Sequence, residues 1–343
     1  MRTLARWTAS QAASVLGAGE AELHRVATSH HAIIISGVVG DLDLRPLASR
    51  GVVVAVTNDT TTPASTTSST ASSTADVVLA PADIDAFVER VDANPRAAVV
   101  CARQLRLVEA LGPETLDGAL AALEAESLAY ATLQGGTEFA EWLQRQPRRV
   151  RRADEGSLVA VTERSTDGAA VVDVTLDRSR LKNSIDAALR NQLIEILDAL
   201  AYRSDVSTIA LRGNGSSFSI GGDLAEFGTV DNPTEAHLIR LATSVAARLI
   251  RFAHNDVAIH AYLHGPVIGA GVELAAFGDT VVARPDATFQ LPELSLGLLP
   301  GAGGTVSLTR RVGRQQAARL ILLGQAIGVE QAAQIGLIDR IEG

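Results

Sequence analysis

The sequence is poor in the residues that most often announce a function. Its 343 residues hold one cysteine, one methionine and only 3% aromatic residues. The lone thiol, Cys101, has no partner for an internal disulfide. It lies in an apolar, helix-like run, where a structural thiol is the commoner occupant than a nucleophile. No CxxC or HExxH pattern occurs, and the seven histidines, the pair His30 and His31 included, fall at no metal-ligand spacing. No metal is expected. Basic residues are in deficit, 30 against 39 acidic ones, for a formal charge of −9. That balance excludes a sequence-independent grip on nucleic acid, which needs a basic surface. No apolar run approaches the roughly 18 residues that suggest a membrane span. The start, MRTLARWTASQAAS, lacks the apolar stretch of a signal peptide. The expectation is a cytoplasmic protein with neither nucleic-acid nor membrane partners.

What is present is aliphatic. Hydrophobic residues make up 47% of the chain and charged ones 20%, so a large core is available, built from Ala, Val, Leu and Ile. Residues 1–74 read as an extension of unknown role. Within it, ASQAASVLGAGEAELHRVA predicts helical turns, and HAIIISG and GVVVAVTN predict short buried strands. A Ser/Thr-rich linker follows at 57–75, too polar to bury apolar area. Residues 76–149 read as a helical module after one short strand, ADVVLA. Ile84, Phe87, Val88 and Val91 share a face between Pro81 and the Asn94-Pro95 stop. Leu116, Leu120, Leu123 and Leu128 recur at near-helical spacing. Phe139, Trp142 and Leu143 face inward from a last amphipathic helix. A polar connector, RRVRRADEGS, leads into residues 157–343. There, strands and helices alternate, beginning with a hairpin turned at Asp167-Gly168. Alternation of this kind predicts an α/β fold.

Three stretches carry chemistry. GNGSSFSIGGDLAEFG, Gly213 to Gly228, is a strand feeding a glycine turn, with Asp223 placed to cap a helix. HGPVIGAGVELAAFGD, His264 to Asp279, repeats the design and puts Glu273 in a first helical turn. Small residues at Gly269, Ala270 and Gly271 let a ligand approach the backbone closely. FQLPELSLGLLPGAGGT, Phe289 to Thr305, sets Glu293 among leucines and a proline. Desolvation there raises a carboxyl pKa, which suits a general acid or base. Taken singly, an ordinary strand-to-helix turn, an electrostatic complement to a helix and a solvated turn glutamate account for the three. Together, two glycine turns aim backbone amides at one point, as an oxyanion hole requires, and two glutamates stand beside it. The combination fits enolate chemistry on an acyl compound.

With SSFSIGGDL, HGPVIGAGVELA, LPELSLGLLPGAGGT, RLILLGQAI and AAQIGLIDRI in order, residues 157–343 resemble the crotonase superfamily, the enoyl-CoA hydratase/isomerase family. The resemblance implies an α/β spiral of ββα units with an associated helical module of the trimerisation type, in a homotrimer or homohexamer. It implies Gly222 and Ala270 as oxyanion-hole donors and Glu273 and Glu293 as the catalytic pair, adding water to a trans-2-enoyl-CoA. No cofactor is implied, since the acyl-CoA thioester is itself the substrate. Lys182, Asn183, Ser217, Phe218, Ser219, Ile220 and Gly221 fall where the family wraps CoA. The rival activities are enoyl-CoA isomerase, another acyl-CoA lyase or hydrolase, and a non-catalytic acyl-CoA-binding or assembly subunit. Two departures stand out. His260, Tyr262 and His264 occupy a stretch that is usually apolar, either as satisfied buried groups or as tuners of the acyl pocket. The helical module also resembles the family's C-terminal region, placed before the core instead of after it. A circular permutation would explain that order, and it would bring Trp142 and Arg145 to the CoA nucleotide. It would also let the ADVVLA segment and its helices complete the strand begun at Leu337–Ile341.

Overall fold

Runs of β-branched residues build the first layer. The computed structural model describes residues 2–36, 41–51, 53–57, 73–147, 156–166 and 168–342. Most of the Ser/Thr-rich linker and the arginine-rich part of the connector at 148–155 lie outside these. Strands β1 (Thr3–Thr8), β2 (His30–Ser36), β3 (Val53–Thr57) and β4 (Val77–Leu79) form a parallel sheet in that order. A parallel sheet has to be covered on both faces, and the alternation along β2 and β3 shows how. Ile33, Ile35, Val54 and Val56 pack under the helices Ala9–Gly17, Glu20–Ser29 and Arg45–Ala48. Ala32, Ile34, Val53 and Ala55 face the other way and join the main core, with Phe87, Ala98 and Cys101.

The ADVVLA segment therefore belongs to this N-terminal sheet as β4, and not to the sheet that contains the chain's last strand. Strand pairing overrides the boundary drawn at 74/76 by composition. Asp76 reinforces it by accepting the Val54 N–H at 2.8 Å and the Arg106 Nε–H at 2.5 Å.

The second sheet holds β5 (Val159–Thr166), β6 (Ala169–Leu176), β7 (Val206–Gly213), β8 (Ala258–Leu263), β10 (Thr280–Ala283) and β13 (Arg340–Ile341), in the order β13-β10-β8-β7-β6-β5. Only the β5–β6 hairpin is antiparallel. A smaller sheet, β12-β11-β9, contains β9 (Pro266–Ile268), β11 (Thr288–Gln290) and β12 (Ile327–Gly328). Ser219 bridges to Val267 of β9. Each turn of the chain thus leaves one strand in the large sheet and one extended piece in the small layer. This is the spiral expected of the resemblance. At its end Leu337 and Ile338 are buried, but Ile341 on the edge strand β13 is 42% exposed.

The helices Ile84–Ala93, Pro95–Leu111, Leu116–Gln134 and Thr137–Arg145 pack into the same continuous core as the spiral. Arg314 ties the join. Its Nε donates to Glu109 at 2.8 Å and its Nη1 to the Ala75 carbonyl at 2.9 Å. Arg319 pairs with Asp83. Phe139 is buried as its spacing predicts, whereas Leu128 is 50% exposed. The buried face of its helix instead runs through Ala119, Ala122, Leu123, Glu126 and Ser127.

Candidate active site

The first glycine turn is positioned by a buried asparagine. Lys182 and Asn183 both have left-handed backbone, with φ of 51° and 54°, a conformation asparagine tolerates better than most residues. The Asn183 amide donates to the carbonyls of Asn214, Ser217 and Phe218 at 2.8, 2.9 and 3.0 Å, and its oxygen accepts the Arg178 N–H. Arg178 in turn pairs with Asp186 and Asp223. Ile185 donates its N–H to Gly221 and accepts from Asp223. Alternation along an extended strand therefore turns the Gly222 N–H to the opposite side. Asp223 accepts the Ala225 N–H and opens a turn; no helix follows.

The second glycine turn presses against the first. Gly269, at φ 51°, precedes the short helix Ala270–Ala275. The Ala270 N–H stands in the first turn, where a helix supplies no acceptor. At Gly221, with φ 81°, a Cβ atom would lie 2.5 Å from the Ile268 oxygen and 3.0 Å from the Ala270 nitrogen. Gly221→Ala is expected to destabilise the fold by roughly 1–3 kcal/mol and to push the two amides apart. Denaturation midpoints check the first effect. A neutral result would mean that the two segments do not touch.

Three carboxyls meet beneath these turns. Glu273 is buried, and its Oε2 accepts the amides of Ala302 and Gly304 at 2.7 and 2.8 Å. Glu126, on the helix Leu116–Gln134, takes the alternate amides, Gly303 at 2.7 Å and Thr305 at 2.8 Å, plus the Thr305 hydroxyl at 2.6 Å. Together they cap the helix Gly304–Val312. Glu293 opens a 3₁₀ turn and reaches over Gly269, where a Cβ would fall 2.6 Å from its Oε1. Its Oε2 is buried without a hydrogen-bond partner.

Burial pushes all three carboxyls up. Glu126 rises to about 7 and Glu293 to about 8. Glu273 is raised by burial first, then by the charges of Glu293 and Glu126, while the amide donors pull it down. Such a cluster titrates as a unit. Its donors favour the ionised forms of Glu126 and Glu273. Glu293, with no donor on Oε2, is the place for a shared proton.

A cavity of about 1320 Å³ opens above this cluster, and Gly222, Ala270, Glu273 and Glu293 all line it. Lys182, Ile220 and Trp142 line it as well. The other expected ligand residues do not. Asn183, Ser217, Phe218 and Ser219 are buried. The Asn183 side chain is committed to the turn, and Ser219 donates to the Asn183 carbonyl while accepting the Gly221 N–H. Gly221 is packed against the second turn. Arg145 is exposed, its Nε bonded to the Glu141 carbonyl. His260, Tyr262 and His264 also lie off the cavity: Tyr262 stacks under Arg212, and His264 meets the Gly215 carbonyl. Sequence reasoning missed Glu126, Tyr130 and Arg240, which do line it. For Glu126 a signal existed, because it sits in register with Ala119, Ala122 and Leu123 on an apolar stripe.

A spiral that brings two outward-turned amides and the glutamates Glu273 and Glu293 to one cavity defines a crotonase-type protein. The sequence model of the enoyl-CoA hydratase/isomerase family matches residues 166–342, over half of the chain, and the protein belongs to that family. A 2,3-dehydroadipyl-CoA hydratase from Escherichia coli (strain K12) is 38% identical over 171 residues, which is 50% of this chain and 65% of that relative. Among solved structures, an enoyl-CoA hydratase from Bacillus anthracis is similar at 28% identity and a TM-score of 0.48, covering 54% of this chain and 70% of that one. One from Thermoplasma volcanium GSS1 is similar at 29% identity and a TM-score of 0.46, covering 55% and 73%.

Proposed function

We propose that the protein hydrates a trans-2-enoyl-CoA. The observation that carries this reading is the presence of two glutamates, buried Glu273 and part-buried Glu293 with its Oε2 buried, on the same cavity as the Gly222 and Ala270 amides. The hydratase relative supports it. The thioester oxygen lies between the two amides, which stabilise the enolate as negative charge develops there. Glu273, ionised, holds a water and accepts a hydrogen bond from it as its oxygen bonds to Cβ. Glu293, protonated, delivers its proton to Cα and regains one from the water. Isomerisation needs one base, so a retained pair favours hydration. The chemistry calls on no cofactor beyond the thioester. Turnover of crotonyl-CoA and longer enoyl-CoAs tests the reading, and no hydration at any chain length would overturn it.

A pH dependence follows. Burial raises Glu293 to about 8, so the reading expects the cluster's shared proton to be lost above that pH. The hydration rate is therefore expected to fall on an alkaline limb near pH 8, seen in kcat/KM profiles. A rate still climbing at pH 9 would remove Glu293 as the donor.

We also read the helices of residues 76–147 as the family's C-terminal helices in permuted order. Their packing into the spiral core, and the Glu126 bonds to Gly303 and Thr305, support this. Superposition on a family crystal structure without regard to chain order tests it. The helices Pro95–Leu111 and Leu116–Gln134 should fall on that protein's last helices, and a mismatch would refute the idea. A trimer or hexamer is the assembly this reading expects, and a monomer in sedimentation equilibrium would refute that.

A further inference from the structure

We propose that Arg240 closes the acyl end of the cavity and selects thioesters whose chain ends in a carboxylate. The proposal rests on the acyl-CoA reading above and names its substrate class. Arg240 lies on the helix Pro233–Ala242, and its side chain lines the cavity shared by Glu273 and Glu293. Its hydrogen-bond partners are neutral, and the Glu126 carboxylate, bonded to Gly303 and Thr305 instead, attracts it only through space. Nε donates to the Ser127 hydroxyl at 3.3 Å, Nη1 donates to the Gln134 side-chain oxygen at 3.1 Å, and Cζ stands 4.3 Å from the centre of the Tyr130 ring. Nη2 is buried with no hydrogen-bond partner at all. A desolvated guanidinium is costly unless an anion and acceptors meet it. Arg248 on the same wall differs, because Asp198 neutralises it.

Position separates this charge from one serving the nucleotide. Tyr130 links Arg240 to the reacting centre. A Cβ at Gly301 would lie 2.3 Å from the Tyr130 ring, and the next residue, Ala302, holds Glu273 by its amide. The guanidinium is thus about one ring removed from the loop that positions a catalytic carboxyl. Arg180 and Lys182 also line the cavity, in the segment that the resemblance assigns to CoA, and are the cations we assign to its phosphates. A carboxylate at the far end of the acyl chain accepts from the idle Nη2, and planar guanidinium suits that planar acceptor.

The test is binding of adipyl-CoA and hexanoyl-CoA, saturated thioesters that lack the double bond to be hydrated, by isothermal titration. The wild type is expected to bind adipyl-CoA more tightly by on the order of tenfold, the scale of one charge-assisted hydrogen bond. Arg240→Met is expected to abolish that preference while leaving hexanoyl-CoA within about twofold of wild type. Arg240→Lys keeps the charge and part of the preference, and it covers the case in which methionine disturbs the helix. Equal binding of both thioesters by the wild type overturns the proposal while the hydratase reading stands. Equal loss of both in Arg240→Met assigns the charge to CoA itself and also overturns it. Failure to bind either thioester overturns the acyl-CoA reading along with the proposal.

Discussion

Glu293→Gln is expected to lower kcat for enoyl-CoA hydration by roughly 10²–10⁴-fold, the usual contribution of a positioned proton donor. KM should change little, because the proposed mechanism holds the thioester by the Gly222 and Ala270 amides, which the substitution leaves in place. Glutamine has the right volume for the site and avoids a buried negative charge, so the loss is chemical rather than structural. Glu273→Gln should cost a similar factor for a different reason. Its neutral amide still accepts from Ala302 and Gly304, but it no longer offers a carboxylate to orient the water. The double variant should be little worse than either single one, since both groups act on one water. Steady-state kinetics with crotonyl-CoA checks all three. Activity within about tenfold of wild type in either single variant would remove that residue from the mechanism.

Glu126→Leu is expected to destabilise the fold, by about 2–4 kcal/mol near pH 6. The change strands the buried N–H groups of Gly303 and Thr305 and the Thr305 hydroxyl, each worth about 1–3 kcal/mol when left unmet. Relief from burying the carboxyl offsets part of that. The sign of the pH effect follows from the raised pKa. Glu126 titrates near 7 in the folded protein and at the ordinary, lower value when unfolded. Between those values the folded state binds the extra proton, so wild-type stability falls as pH rises. The variant lacks this contribution, and its deficit should narrow toward pH 8. Urea midpoints at pH 5, 6.5 and 8 check both the size and the trend. A deficit that stays flat from pH 5 to 8 would show that Glu126 is ionised throughout. At temperatures where the variant stays folded, kcat should also drop, because the amides that hold Glu273 alternate with those that hold Glu126.

The spiral and the paired glutamates were legible because local chemistry dictates them. Glycine turns, helix starts and a glutamate among leucines leave their mark within a dozen residues. The membership of ADVVLA in the first sheet was not legible, since a three-residue strand carries no sign of which partner it will find. That the Asn183 and Ser219 side chains build the turn was not legible either, for a related reason. A polar residue in a ligand-binding motif looks the same in sequence whether it meets the ligand or builds the turn that does. Arg240 escaped notice because its meaning comes from Tyr130, more than a hundred residues away. Glu126 was readable in principle as a charge on an apolar stripe. What sequence spacing could not supply was the pair of amides waiting for it.

The bonds from Glu126 to Gly303 and Thr305 join positions 177 and 179 residues apart. During synthesis the helices that precede the spiral emerge first; Leu116–Gln134 can pack on Pro95–Leu111, but its Glu126 carboxyl has none of its amide partners yet. At about 5–20 residues per second, the loop that receives it appears roughly 10–40 s later. Throughout that interval a carboxyl destined for burial stays unmet, so the feature that completes the site can form only after the chain has passed residue 305.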